Sequence, residues 1–97
     1  MAIVQLTPVA REQLAKLPKP IQARVVKVLE RLRNWPAVSG VKALSGPLAG
    51  RYRARTGDYR LQFYVQPGQP AQEDQPAVPE VLIVEKIGHR DGFYDDE

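Results

Sequence analysis

Four arginines within ten residues predict a β-hairpin with one charged face. A Gly57-Asp58 pair separates the first three from the fourth. This pair fits the two central positions of a tight turn, with Gly57 supplying the positive φ of a type II′ turn. A turn at this point places Arg55 opposite Arg60 and leaves the whole set on one face of two antiparallel strands. The set, called here the arginine face, is Arg51, Arg53, Arg55 and Arg60.

The other face of the same hairpin is apolar. The register set by the turn pairs three sets of residues there: Thr56 with Tyr59, Ala54 with Leu61, and Tyr52 with Phe63. On the charged face it pairs Arg53 with Gln62 and Arg51 with Tyr64. A shift of one residue would move every side chain to the opposite face and mix arginine with the core. The apolar face is therefore expected to be covered by the rest of the chain.

The first third of the chain predicts a strand followed by two helices. Residues 2–6 read as a short strand, and Thr7 followed by Pro8 is a helix start, from which the first helix runs to about Leu17. The second helix ends at Trp35-Pro36, because a residue before proline is pushed out of helical geometry. Its apolar residues recur at helical spacing and form one stripe: Ile21, Val25, Val28, Leu29 and Leu32.

The remaining segments complete a single α+β domain over residues 1–97. Residues 37–50 read as a loop, and residues 66–79, rich in Pro and Gln, read as a long mobile connection within the domain. Residues 81–87 are a third strand of the meander, apolar on both faces at its start. The order β-α-α-β-β-β predicts two layers, with a helical hairpin on one side of a mainly antiparallel curved sheet and the arginine face on the other.

Composition narrows the classes of protein. The 97 residues include no cysteine, which excludes disulfides, thiolate metal sites and cysteine nucleophiles. The longest apolar runs are too short to cross a bilayer, so we expect a cytoplasmic protein without a membrane partner. The net charge of +3 is modest, but residues 51–60 hold four arginines against one aspartate, whereas four carboxylates crowd residues 91–97. This distribution favours a localised anionic ligand.

Arginines gathered on one face favour phosphate as that ligand. The guanidinium fork offers paired donors that match phosphate oxygens, and it keeps its charge at any physiological pH. The alternative is a solvated sheet face whose arginines pair with carboxylates. Against that alternative, Arg55 opposite Arg60 sets like charges against each other across the strands, which is destabilising unless an anion joins them.

A second group of polar residues follows the third strand, within residues 87–94. It contains the single histidine of the chain, His89, together with Arg90 and Tyr94. These residue types can move protons around a phosphate. A lone histidine is more often a surface or hydrogen-bonded residue than a catalyst, and Tyr94 can equally pack its ring. The position of the group after the third strand brings it to the edge of the arginine face.

Residues 50–61 and 84–94 together closely resemble the RelE/ParE superfamily of bacterial toxins, especially its RelE branch. The resemblance lies in the basic strand, in the Gly-Asp-Tyr-Arg-Leu turn and in the C-terminal Ile-Gly-His-Arg sequence. A tyrosine follows four residues after the arginine of that last sequence. The preceding strand and helical hairpin also match that fold. The resemblance implies the toxin of a toxin–antitoxin pair that cleaves messenger RNA in the ribosomal A site and is held inactive by a cognate antitoxin.

The resemblance also implies the members of the site. Arg60 matches a phosphate-binding arginine, and Arg51 and Arg53 match basic residues that are usually lysines. The residues matching the C-terminal part of the family's site are His89, Arg90 and Tyr94. The chain departs from the family pattern in its arginines at positions 51 and 53 and in its longer loop at residues 66–79. No metal or cofactor is expected.

RNA cleavage without a metal needs a base for the 2′-hydroxyl proton, cations for the charged phosphorane and an acid for the leaving 5′-oxygen. Arginine stays protonated and cannot be the base. We therefore expect Arg53 and Arg60 to stabilise the phosphate, and Arg55 to dock RNA. His89 and Tyr94 act either as proton carriers or as a stacking platform for bases. Two other functions stay open: a ParE-like inhibitor of DNA gyrase, and an inactive relative that only binds antitoxin.

Overall fold

The structure of the protein is a computed structural model, in which residues 2–93 are described. These residues form two helices and five strands. A short 3₁₀ turn, Gly46–Leu48, stands between the second and third strands. In chain order the elements are β1 (Ile3–Leu6), α1 (Pro8–Ala15), α2 (Lys19–Leu32), β2 (Val41–Ala43), β3 (Tyr52–Thr56), β4 (Tyr59–Gln66) and β5 (Val81–His89).

The strands form one mixed sheet in the order β1-β5-β4-β3-β2. β1 runs parallel to β5 and the other neighbours are antiparallel, so the predicted α+β class and mainly antiparallel sheet are confirmed. One strand was missed, because residues 37–50 had been predicted as a loop. Three of them form β2, which pairs Lys42 with Arg53 on β3. A three-residue strand is too short to show a period of two in the sequence.

The hairpin has the register that its two faces predict. The observed pairs are Tyr52 with Phe63, Arg53 with Gln62, Ala54 with Leu61, Arg55 with Arg60 and Thr56 with Tyr59. Gly57 has a φ of 58°, and no residue other than glycine has a positive φ in the described chain. This fits the type II′ turn, since a type I′ turn would need a positive φ at Asp58 as well.

The helices cover the apolar face of the sheet. Thr7 caps α1 by accepting a hydrogen bond from the Ala10 amide at 3.1 Å, and Pro8 follows as predicted. α1 ends at Ala15, two residues before the predicted end, and α2 ends at Leu32. No helix in residues 2–93 is long and apolar enough to cross a membrane. The core contains Val25, Val28 and Leu32 of α2 against Ala54, Leu61, Phe63, Leu82, Val84 and Ile87 of the sheet.

The Pro/Gln-rich connection is a hydrogen-bonded ribbon rather than the irregular loop that its composition predicts. Gln69 and Val78 exchange two backbone hydrogen bonds of 2.8 Å, and Gln72 and Gln75 exchange bonds of 2.9 and 3.1 Å. None of the four prolines of the segment occupies a paired position, since Pro70 and Pro76 lie between the two pairs and Pro67 and Pro79 lie outside them, so the amides needed for pairing are all present. The ribbon extends the β4–β5 hairpin beyond the sheet.

Replacing Gly68 by alanine is expected to open this ribbon without unfolding the domain. A Cβ at position 68 would overlap the carbonyl oxygen of Val78, which is backbone and cannot move aside while the ribbon is paired. In hydrogen exchange, the amides of Gln69 and Val78 should lose protection while those of β4 keep theirs. Gln66→Ala, an exposed position at the end of β4, is the control. Unchanged protection at Gln69 and Val78 in the Gly68 variant would contradict the paired ribbon.

Candidate functional site

The sheet face opposite the helices carries a row of polar side chains across four strands. Register pairs Lys42 with Arg53, Arg53 with Gln62, and Gln62 with Lys86. The neighbouring row pairs Arg55 with Arg60 and Arg60 with Gly88. Adjacent strands lie about 4.8 Å apart, so the cations of one row are close enough to contact one phosphate or two successive phosphates. We call this surface, with Arg51 and Glu85, the cationic face.

A bulge in β5 brings a carboxylate onto this face. Gln62 pairs with Lys86 but Phe63 pairs with Val84, so Glu85 is an extra residue on β5. Its Oε1 accepts hydrogen bonds from Arg51 Nε at 2.9 Å and from Gln62 Nε2 at 3.0 Å. Arg51 also lies over the Tyr64 ring, with its Cζ 4.8 Å from the ring centroid. The sequence left open the alternative that the arginines of this face pair with carboxylates. For Arg51 this alternative is correct.

A groove of about 450 Å³ runs beside this carboxylate. Its floor is the sheet, from Gln62 and Arg51 to Glu85 and Lys86. Its apolar walls are Val9 of α1 together with Pro47 and Leu48 of the 3₁₀ turn. α1 is fixed at this edge of the sheet because the Ile87 amide donates to Gln13 Oε1 at 2.7 Å. The site thus includes a concave region beside its charged surface.

Arg53 is the arginine at the centre of the face. It lies between Lys42 and Gln62 in the register, and its Nε is buried with no hydrogen-bond partner. Gln62 is 5% exposed, and its Oε1 is also without a partner. A buried polar atom without a partner costs about 1–3 kcal/mol. A donor and an acceptor therefore lie on register partners at the centre of the face without a partner among the described residues.

Arg60 and Arg55 lie beside the hairpin turn. Arg60 Nη1 donates to the carbonyl oxygens of Gly57 at 3.0 Å and Tyr59 at 3.3 Å. Its neighbour on β5 is Gly88, where the Phe93 ring packs so closely that an added Cβ would lie 3.4 Å from it, so an aromatic ring covers the face beside the arginine. Arg55 is exposed. The two like charges meet across the strands as predicted, in a position open to an anion.

Arg90 joins this end of the sheet, whereas His89 does not face the arginines. The backbone amide of Arg90 donates to the Asp58 carbonyl oxygen at 2.6 Å, and the side-chain Nε of Arg90 lies 3.7 Å from Asp58 Oδ1. His89 pairs with Tyr59, which belongs to the apolar face, and the two rings meet edge to face with centroids 5.3 Å apart. His89 Nδ1 accepts a hydrogen bond from the Asp91 amide at 3.1 Å.

The structure thus gathers Arg51, Arg53, Arg55 and Arg60 on one face with Arg90 near the turn, and it leaves His89 on the other side. Tyr94 lies outside the described residues. Sequence reasoning missed Lys42, because β2 was not predicted. It also missed Glu85 and Lys86, although two consecutive charged residues inside an apolar strand are a signal of a bulge. Residues 2–93 contain no group of three His, Cys, Asp or Glu side chains placed to hold a metal ion.

Solved structures share this fold, although no protein-family model and no curated protein sequence matches the chain. One is a chain of the toxin–antitoxin complex RelBE2 from Mycobacterium tuberculosis, with 30% identity and a TM-score of 0.68 over 92% of this chain and 98% of that one. Another belongs to the RelB–RelE antitoxin–toxin complex from Methanococcus jannaschii, with 20% identity, a TM-score of 0.64, and 95% and 96% coverage. A third belongs to the archaeal RelE–RelB complex from Pyrococcus horikoshii, with 24% identity, a TM-score of 0.64, and 92% and 94% coverage. The two archaeal likenesses show the fold only.

Proposed function

Because this chain belongs to the RelE family of toxins of toxin–antitoxin systems, we propose that it is an endoribonuclease that cleaves messenger RNA on its cationic face, with the ribosome as the place of cleavage. The observation that carries the proposal is the polar row across four strands, in which the cations are Lys42, Arg53 and Lys86 and Arg53 is the middle one. Arg53 is half-buried between Lys42 and Gln62 in the register, and its guanidinium fork offers paired donors to a phosphate.

The chemistry assigned to this face is stabilisation of a charged phosphorane. Cations that are already in place when charge develops on a reacting phosphate lower the barrier without reorganisation at that moment. Arg53 and Lys86 lie one strand to either side of Gln62 and can contact the scissile phosphate from two directions. Arg60 reaches it by leaving the two backbone carbonyls that it contacts in the free protein. Arg55 and Arg90, both exposed, bind neighbouring phosphates.

A cognate antitoxin is the protein partner in this proposal, since the structurally similar chains occur in antitoxin complexes. Two surfaces suit such a partner. One is the open edge of β2, where an extended segment can add a strand. The other is a groove of about 610 Å³ between α2 and β3, whose charged lining residues are three cations and one carboxylate: Arg24, Lys27, Arg31 and Glu30. Three cations in one groove favour an acidic segment.

The proposal is tested by incubating the purified chain with ribosomes that carry a defined messenger RNA. We expect new RNA fragments whose upstream ends carry a 2′,3′-cyclic phosphate or its hydrolysis product. The cognate antitoxin, added before the RNA, should abolish cutting. Intact RNA together with trapped complexes of gyrase and DNA would contradict the proposal and favour the ParE-like function instead.

A further inference from the structure

Glu85 pairs with Arg51 and Gln62 through one of its two oxygens only. It is the only carboxylate carried by any of the five strands in residues 2–93, and it lies on the cationic face because of the bulge in β5. Resting on the endoribonuclease function proposed above, we propose that Glu85 is the general base that takes the 2′-hydroxyl proton, with its Oε2 as the accepting atom.

The two oxygens of Glu85 have different surroundings. Oε1 accepts both hydrogen bonds, from Arg51 and from Gln62, whereas Oε2 has no partner in the described chain. The side chain is 23% exposed and lines the groove of about 450 Å³. One oxygen therefore fixes the carboxylate, and the other is available to a ligand in the groove. A base held in this way needs no reorganisation before it accepts a proton.

The other side chains of the face are less suited to this role. Arginine and a charged lysine have donors and no acceptor, so they cannot take a proton from a hydroxyl. The ring of His89 lies against Tyr59 on the opposite side of the sheet, away from Arg53 and Gln62. An ionised carboxylate is an acceptor only, which is the property that the first step requires.

The ribose fits the groove and the phosphate fits the cations beside it. Glu85 and Lys86 are consecutive residues at the bulge, and Lys86 is the register partner of Gln62. A ribose beside Val9 and Leu48 places its 2′-hydroxyl near Oε2 and the adjacent phosphate beside Lys86. Arg53, two strands from Lys86 in the same row, reaches this phosphate from the other side of Gln62. Arg51 and Gln62 are positioning residues in this arrangement, because they act only by holding Oε1.

The proposed cleavage is a single displacement at phosphorus, in which each proton has a donor and an acceptor. The 2′-hydroxyl proton moves to Glu85 Oε2 as the 2′-oxygen forms a bond to phosphorus. The bond between phosphorus and the 5′-oxygen breaks, and that oxygen takes a proton from the Lys86 ammonium group. The products are a 2′,3′-cyclic phosphate and a 5′-hydroxyl. Water then accepts the proton from Glu85 and returns one to Lys86, which restores the starting state.

The test is Glu85→Gln, which keeps an acceptor oxygen for Arg51 and Gln62 but cannot accept a proton. Single-turnover cleavage on programmed ribosomes should slow by about 10²–10⁴-fold, the usual contribution of a general base. The control is Glu12→Gln, a 68% exposed carboxylate on α1, which should cut at the wild-type rate.

Two further measurements separate catalysis from structure. Binding of RNA methylated at the reacting 2′-oxygen, and the thermal midpoint, should be the same in the Glu85→Gln variant as in wild type. A variant that cuts at the wild-type rate overturns the role of Glu85. So does one that loses binding or folding together with cleavage. If the wild-type chain itself cuts no RNA, both the role of Glu85 and the proposed endoribonuclease function fail. If wild type cuts RNA and the Glu85→Gln variant cuts equally well, only the role of Glu85 fails.

Discussion

Replacing Arg53 by alanine should lower the rate of RNA cleavage by about 10²–10³-fold, the usual effect of removing one preorganised donor from a developing oxyanion. Arg53 is the central cation of the row, between Lys42 and Gln62, and its Nε is buried without a partner. Single-turnover rates on programmed ribosomes give the measurement.

Arg55→Ala is the matched control for this prediction, because it removes the same residue type from the same face of the same strand. Arg55 is exposed at the turn end of the strand, so its loss should weaken RNA binding and leave the rate at saturating ribosomes nearly unchanged. Arg53→Lys keeps the charge but loses the fork and should be intermediate. Equal effects of the two alanine variants on the saturated rate would contradict a central role for Arg53.

Replacing Phe63 by alanine should remove about 3–5 kcal/mol of the free energy of unfolding, the usual cost for a buried phenylalanine. Phe63 is 0% exposed. Its ring stacks on Tyr52 and meets Trp35 edge to face, with both centroid distances 5.6 Å. A domain of this size is stable by only about 5–15 kcal/mol, so the variant should be near the limit of folding. Urea unfolding followed by tryptophan fluorescence gives the value.

The milder variant Phe63→Leu keeps the prediction measurable if the alanine variant does not fold, with an expected loss of about 1–2 kcal/mol. Val9→Ala is the control, because Val9 is 58% exposed and its loss should cost less than about 0.5 kcal/mol. A Phe63→Ala variant as stable as the Val9 control would show that the aromatic cluster does not hold the helices on the sheet.

The hairpin and α2 were predictable from the sequence because each has a polar face and an apolar face, and one arrangement of the element places both faces correctly. One register places Arg53 and Arg55 on the charged side and Leu61 and Phe63 in the core, and the structure has that register. The apolar spacing of α2 likewise identified the residues that pack on the sheet. Where burial depends on periodicity, a sequence contains enough information to give the element and its orientation.

The site was less predictable because its details depend on register between distant segments. Lys42 enters the face through β2, a strand formed only because β3 is beside it. Glu85 is there because one extra residue in β5 shifts the alternation, and the same register places His89 against Tyr59. The ribbon beyond β4 forms through backbone hydrogen bonds, which composition does not reveal. Neighbouring strands, rather than local pattern, decide these features.

The central claim is that the cationic face cleaves messenger RNA, and mapping of RNA 5′ ends in cells that express the chain without its antitoxin tests it most directly. We predict new 5′-hydroxyl ends inside translated regions of messenger RNA with the wild-type chain. With Arg53→Ala these ends should be depleted by about 10²-fold or more, while Arg55→Ala should leave most of them. Growth arrest by the wild-type chain with no new 5′-hydroxyl ends in messenger RNA would contradict the claim.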